Sequence, residues 1–482
     1  MVDVTRRRYL GGAGAVLGGL LAAACGEAEV RYVDKVVEKT VIKEVPAAPK
    51  GPAKSTVGQT ATKWSGTQDL EIWVTGYEPV KQAYKVLSEK FNAEHNNIKV
   101  TNQVPKYGRM SDIVPAKAGG MSPHVVETNQ PNSWPFAGNG IMVPLNNFYK
   151  RDKTTADAVN DFYPGILESV TWRGELHYFV TGVSMEVWHT NSDFFARAGI
   201  AQPKSGWTWS DLENTVGPAL KGAVGEDGSP LMCELNEMYR MMHWVLQNGG
   251  GMTDKTGTKL TISAPEFIEA VEFVRKLVLA EIIREKNPKK AKAGPGRGGR
   301  EGVIGAKYTH GENYRLQRGD VALELEGMTR IPRYRKELGD LMGVSPAITG
   351  PARQAALFDS WEIGVVSNEE PAAVEAGYAF AAWMIRPENL IVYEMARANL
   401  PPRKALTELS NASDLWKAEP LIKDAMEYLN YADTFPFTPA TGPMRKGINS
   451  VLANITRFGD PAAQTLTELE KVLMAQHGNL LQ

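Results

Sequence analysis

The chain has 482 residues, with 54 basic and 55 acidic side chains; its formal net charge of -1 leaves no basic surplus of the kind that binds nucleic acid. Two cysteines, Cys25 and Cys233, are too few for a disulfide framework. Eleven Trp and sixteen Tyr are more rings than a core must absorb, which leaves some for a binding surface.

In chain order, Thr5-Arg6-Arg7-Arg8-Tyr9-Leu10 leads into a Gly/Ala/Leu/Val run that stops at Ala22-Ala23-Ala24-Cys25. A basic segment, an apolar segment and a small-residue cleavage site, in that order, predict an export signal over residues 1–24. The apolar run is shorter than the roughly 20 residues that cross hydrocarbon, which disfavours a permanent membrane helix. The arginine pair is similar to a twin-arginine signal, with Tyr9 in the usual place of Phe and Gly11 in that of Lys; general secretion is the alternative. Cys25 after three alanines resembles a lipoprotein cleavage site, with Ala22 where Leu is usual. Two or three acyl chains on its thiol, at about 0.8 kcal/mol per buried methylene, would anchor the protein to a membrane. Residues 25–67 mix Val/Ile with charges and then run through Pro46-Ala47-Ala48-Pro49, a composition that predicts a flexible tether.

The remaining body exceeds a single typical core and predicts two domains. Leu70–Val74 reads as a strand ending at Thr75-Gly76-Tyr77. Val80, Tyr84, Leu87 and Phe91 then recur at helical spacing, and Ile98–Thr101 restores strand character. Val125-Val126 is expected to end a further strand, before a polar loop and a helix from about Trp134 to Asn139. Such alternation predicts α/β layers with mostly parallel sheets and ligands beyond the carboxyl ends of the strands. Strand ends therefore nominate Tyr77, Glu78, Glu127, Thr128, Asn129, Gln130 and Trp134, and, after Val321–Leu325, Glu326 and Arg330.

Other chemistry finds little support. No His lies in His-Glu-x-x-His spacing or pairs with a Cys at zinc spacing, so neither metal nor cofactor is expected. Gly182-Val183-Ser184-Met185-Glu186 lacks the second glycine of a nucleophile elbow. Gly294–Gly299 has the glycine pattern of a dinucleotide loop but follows lysines, so residues 285–303 read as a basic surface insertion. Glu324 and Glu326, two apart on a strand, could serve a glycosidase; a solvated or ligand-facing strand edge is the simpler account.

Several segments in order carry a family resemblance. Ile72-Trp73-Val74-Thr75-Gly76 looks like an opening strand and ligand loop. Ser122-Pro123-His124-Val125-Val126 follows, with His124 in the usual place of Asp, and then Gly140-Ile141-Met142-Val143-Pro144-Leu145. Trp172–Tyr178 and Trp188–Ile200, with Pro203 and Trp207-Thr208-Trp209, form the densest match. Arg318–Leu323, Val344-Ser345-Pro346 and Ser360–Val365 complete it. From about Leu70 onward the chain resembles the extracellular sugar-binding proteins of ABC importers, family one, which include maltose-binding protein. The resemblance implies a periplasmic-binding-protein-like (type II) fold with an interlobe cleft, one lobe being 68–182 plus 350–404 and the other 183–349 plus 405–482. It also implies a monomer that performs no reaction, takes up a mono- or oligosaccharide and passes it to an ABC permease outside the cytoplasm. Ser184 on the first crossing, a stacking Tyr239, Asp359, Ser360 and Trp361 on the return crossing, and Arg445 in a late cleft loop join the site on the same basis. Maltose-binding protein has an aromatic near Arg445, and its absence here suggests a different or smaller ligand. A polyol phosphate, a polyamine or a metal complex remains an alternative ligand, and a surface polysaccharide lyase or glycosidase an alternative activity.

Overall fold

The computed structural model describes residues 67–74, 78–105, 113–137, 140–224, 228–233, 238–254, 256–285, 316, 319–368, 370–397, 399–408, 419–436 and 438–481. The export signal, Cys25, nearly all of the tether, Tyr77, the side chain of Trp134 and the basic loop beyond Glu285 lie outside the described residues.

β1 (Gln68–Val74) pairs in parallel with β2 (Ile98–Pro105) and with β3 (Val125–Asn129). The crossover between β1 and β2 is α1 (Glu78–Glu94), which buries Val80, Ala83, Tyr84, Leu87 and Phe91. Those positions fall on one stripe of a 3.6-residue helix, as the periodicity predicts. The strand expected to end at Val126 instead begins at Val125, and α2 (Gln130–Ala137) follows Asn129 directly. Its polar residues fit inside a sheet because distant side chains satisfy them: Glu127 is ion-paired to Arg397, Nη2 to Oε1 at 2.7 Å. Local sequence cannot show such a partner.

After a short separate hairpin of β4 (Thr171–Trp172) and β5 (Glu175–Leu176), β6 (Phe179–Asn191) is thirteen residues long and buried everywhere except at Ser184. Its first part pairs antiparallel with β11 (Ala356–Val365). Its second part pairs antiparallel with β9 (Val321–Gly327) on one edge and β10 (Met342–Ser345) on the other. Adding β7 (Ser229–Cys233) and β8 (Ile283–Glu285), the strand order is β2-β1-β3-β11-β6-β9-β7-β8. The order divides at β6 into two halves, and within the large sheet every antiparallel pair among the described residues involves β6 or β11. The sheet is therefore mixed, with parallel pairs on either side of a shared antiparallel centre. β12 (Ala432–Asp433) pairs in parallel with the start of β11.

Between Trp361 and Glu362 the partner on β6 slips from Gly182 to Val180, a bulge at which the Thr181 hydroxyl donates to the Trp361 carbonyl at 3.2 Å. A Cβ at Gly182 would lie 2.7 Å from Asn399 Nδ2, so a larger residue there would push that buried amide aside. In the second half, α3 (Met238–Gln247) packs Trp244 into a ring cluster with Trp188, Trp209 and Phe273. In the first half, α4 (Pro371–Met384) and α5 (Pro387–Arg397) cover the sheet. Late in the chain, α6 (Thr441–Phe458) carries Arg445 in its first turns. No described helix is long and apolar enough to cross a membrane.

Candidate functional site

Burial along the central strands singles out one face. Asn129 alone escapes burial in β3, Ser184 in β6, Glu326 in β9, and Asp359 and Trp361 in β11. Side chains alternate along a strand, and residues opposite each other on paired strands share a face. The register sets Asn129 opposite Trp361, Ser184 opposite Asp359, and Glu186 opposite Gly327. Asn129, Ser184, Asp359 and Trp361 therefore share one face, a patch where the two halves of the sheet meet, whereas Glu326, opposite Val187, is tied to that site through Arg240. Gly327 borders the patch: a Cβ there would stand in ordinary contact with it, 3.5 Å from Glu186 Oε1 and 3.9 Å from Ser184 Oγ.

Two guanidinium groups flank this face. Arg240, from α3, places Nη1 2.5 Å from Glu186 Oε2 and Nη2 2.7 Å from Glu326 Oε1. Its Cζ lies 5.5 Å from the centroid of the Tyr239 ring, which in turn stacks on Phe435 at 5.5 Å. On the other flank Arg397, the last residue of α5, sets its Cζ 3.4 Å from the centroid of Trp361. Its Nη2 pairs with Glu127 and its Nε donates to the Tyr393 hydroxyl, which itself donates to Glu127.

Asp359 lies between these groups. Burial pushes its carboxyl up to about 6, against the hydrogen bond from Asn129 and the charges of Arg445 and Arg397. Asn129 Nδ2 lies 3.5 Å from Oδ2, while Oδ1 is buried without a hydrogen-bond partner. A buried carboxylate oxygen without a donor is costly and is suited to accepting from a bound hydroxyl or amine. Burial also raises Glu186, against the pull of Arg240.

Of the residues nominated from sequence, Asn129, Ser184, Tyr239, Glu326, Asp359, Trp361 and Arg445 meet at or beside this patch. Glu127 lies behind it, fully enclosed by Arg397 and Tyr393. Gln130 is buried and donates to Thr434. Ser360 points the other way, donating to Glu362 Oε1 at 2.6 Å inside the sheet. Thr128 is likewise buried, on the side of β3 away from Asn129. Glu78 is an exposed residue paired with Lys81 at the start of α1. Arg330 is exposed, and its charge is felt by Tyr334. Glu324 accepts from Tyr334 at 2.8 Å in the interior and Glu326 is paired with Arg240, so each carboxylate of the pair considered for a glycosidase is already engaged. Sequence reasoning missed Glu186, Arg240, Arg397, Phe435 and Gly327. Strand alternation from Ser184 could have found Glu186; nothing local marks the two arginines.

Two half-sheets sharing their central strands, with polar and aromatic side chains gathered at the junction, define a two-lobed α/β binding protein. Residues 87–424 match the family described as bacterial extracellular solute-binding protein, and the chain belongs to that family. Among solved structures, the sugar-binding protein MalE from the phytopathogen Xanthomonas citri is 17% identical with a TM-score of 0.70, over 86% of this chain and 97% of its own. The GacH receptor of Streptomyces glaucescens, solved unliganded and with acarbose, is 18% identical with a TM-score of 0.64, over 86% and 98%. UgpB from Mycobacterium tuberculosis, in complex with glycerophosphocholine, is 16% identical with a TM-score of 0.65, over 86% and 100%. Similarity at these identities establishes the fold. No curated protein matches the sequence.

Proposed function

We propose that this chain is the substrate-binding lipoprotein of an ABC importer, which captures a mono- or oligosaccharide between two lobes and delivers it unreacted to a membrane permease. The lobes would be 68–182 plus 350–404 and 183–349 plus 405–482, with β6, β11 and β12 as connections. The in-register convergence of Asn129, Ser184, Asp359 and Trp361 carries this reading. Sugars offer hydroxyls that need planar donors and acceptors, which Asn129 and the open oxygen of Asp359 supply, and C–H faces that stack on rings such as Trp361 and Tyr239. The ligand would favour a closed arrangement only through its different affinity for the open and closed forms. An export signal of the twin-arginine type and a lipidated Cys25 would hold a monomeric receptor outside the cytoplasm at high effective concentration near its permease.

A glycerophosphodiester or polyol phosphate is the second reading, favoured by Arg445 and Arg397, whose positive charges reach Asp359 and oppose the burial that raises it. A thermal-shift screen with both ligand classes separates the two. At a hundredfold excess over Kd, a true ligand adds about 2.7 kcal/mol of stability. The saccharide reading expects that gain from a carbohydrate and its loss in Asp359→Asn and Trp361→Ala. A gain from phosphorylated polyols and from no carbohydrate would overturn it.

A further inference from the structure

We propose that Arg397 is a positioning residue that braces Trp361 from behind and reserves the outer face of that ring for an uncharged sugar ring rather than a cation. The proposal rests on the saccharide reading of the same patch and adds to it a residue and a selectivity.

A guanidinium carbon 3.4 Å from a ring centroid lies flat against the ring, in van der Waals contact. Arg397 cannot easily swing away, because its edges are committed to Glu127 and Tyr393. Glu127 has a side chain at 0% exposure, so withdrawing Arg397 would leave a buried carboxylate without its cation. Tyr393 is fixed in turn by Tyr84, edge to face at 5.6 Å. The brace is therefore anchored in the core of the first half, and one face of Trp361 is permanently occupied. Trp361 is nonetheless partly exposed, and it shares its strand face with Asp359 and Asn129. The face left over is the one turned to the patch.

A cation is drawn to the negative face of an aromatic ring. Here that attraction is already engaged from behind by a positive group, so a second cation on the outer face gains less and meets repulsion through the ring. The C–H face of a neutral sugar carries no such penalty. Lysine could keep the ion pair with Glu127 but has no plane to lay on the indole.

The test uses the full chain labelled with 5-fluorotryptophan, with the Trp361 resonance assigned through Trp361→Phe. In the unliganded protein Arg397→Gln and Arg397→Lys should each shift and broaden that resonance while leaving Trp188 and Trp244 unmoved. An unmoved Trp361 resonance in both variants overturns the brace, whatever the ligand. Calorimetry with maltotriose and with glycerophosphocholine supplies the second arm. Arg397→Gln should weaken maltotriose about tenfold in the wild-type background and hardly at all in Trp361→Ala, with no rescue by Arg397→Lys. Equal losses in both backgrounds overturn the positioning role. Wild-type preference for glycerophosphocholine overturns the selectivity. If neither probe binds the wild type, the saccharide reading and the selectivity fall together, and the fluorine arm still decides the brace.

Discussion

Arg240 and Arg397 flank one patch and are held in different ways. Arg240 gives both edges to carboxylates, Glu186 and Glu326, and has the Tyr239 ring only beside it. Arg397 gives its edges to Glu127 and Tyr393 and lays its plane on Trp361. The first is a network with two anions to one cation, and its stability depends on charge. The second is one ion pair and one stack, and what it fixes is the position of a ring. Each half of the molecule thus brings an arginine, an aromatic and acidic side chains to the junction, with the emphasis reversed.

Breaking the ion pair on each flank should test the comparison most sharply. Arg240→Met leaves Glu186 and Glu326 facing each other with little exposure and is expected to cost about 3–5 kcal/mol at pH 7 by urea unfolding. Much of that loss should return at pH 5, where the abandoned carboxylates take up protons. A loss below about 1 kcal/mol would show that solvent already reaches the network. Glu127→Gln is expected to cost less, about 2–3 kcal/mol, because Tyr393 still accepts from Arg397 and the stack persists. Its fluorine signal from Trp361 should change less than in Arg397→Gln, and a larger change would make the ion pair, rather than the stack, the true brace.

The smallest effect concerns Glu362, on the opposite face of β11, which has two serines for neighbours where the others have arginines. Burial pushes it up to about 8, against hydrogen bonds from Ser360 and Ser133. A carboxyl raised in this way keeps its proton in the folded state over a range in which the unfolded chain has lost it. Its stabilising contribution is complete below about pH 4.5 and is lost as pH rises through about 8. Stability should therefore fall by about 1.4 kcal/mol between pH 6 and pH 7 from this group, and Glu362→Gln should flatten that slope. An unchanged slope in the variant would assign it to other carboxyls.

Much of this was legible from segment order and strand alternation. Asp359 and Trp361 lie two apart on a strand and so share a face; the same rule turns Ser360 away, and applying it would have removed that residue from the list. The arginines were not legible, since a basic residue on a helix reads as a solvated one until its partner is known. Glu127, the partner of Arg397, is 270 positions away, and Glu326, the partner of Arg240, is 86 away. Glu127 reads as a loop residue for the same reason: the cation that allows it inside a sheet comes from the far end of the first half.

The place of β11 between β3 and β6 has a consequence for synthesis. Until Val365 has left the ribosome, β3 and β6 have a gap where their shared neighbour belongs, and the edge of β3 stands open to any other extended peptide. The amino-terminal half cannot complete itself first, as domains in a nascent chain usually do. Its closure waits on a strand made more than two hundred residues after β3, so a polypeptide cut short before Ala356 would carry an unfinished sheet that invites aggregation.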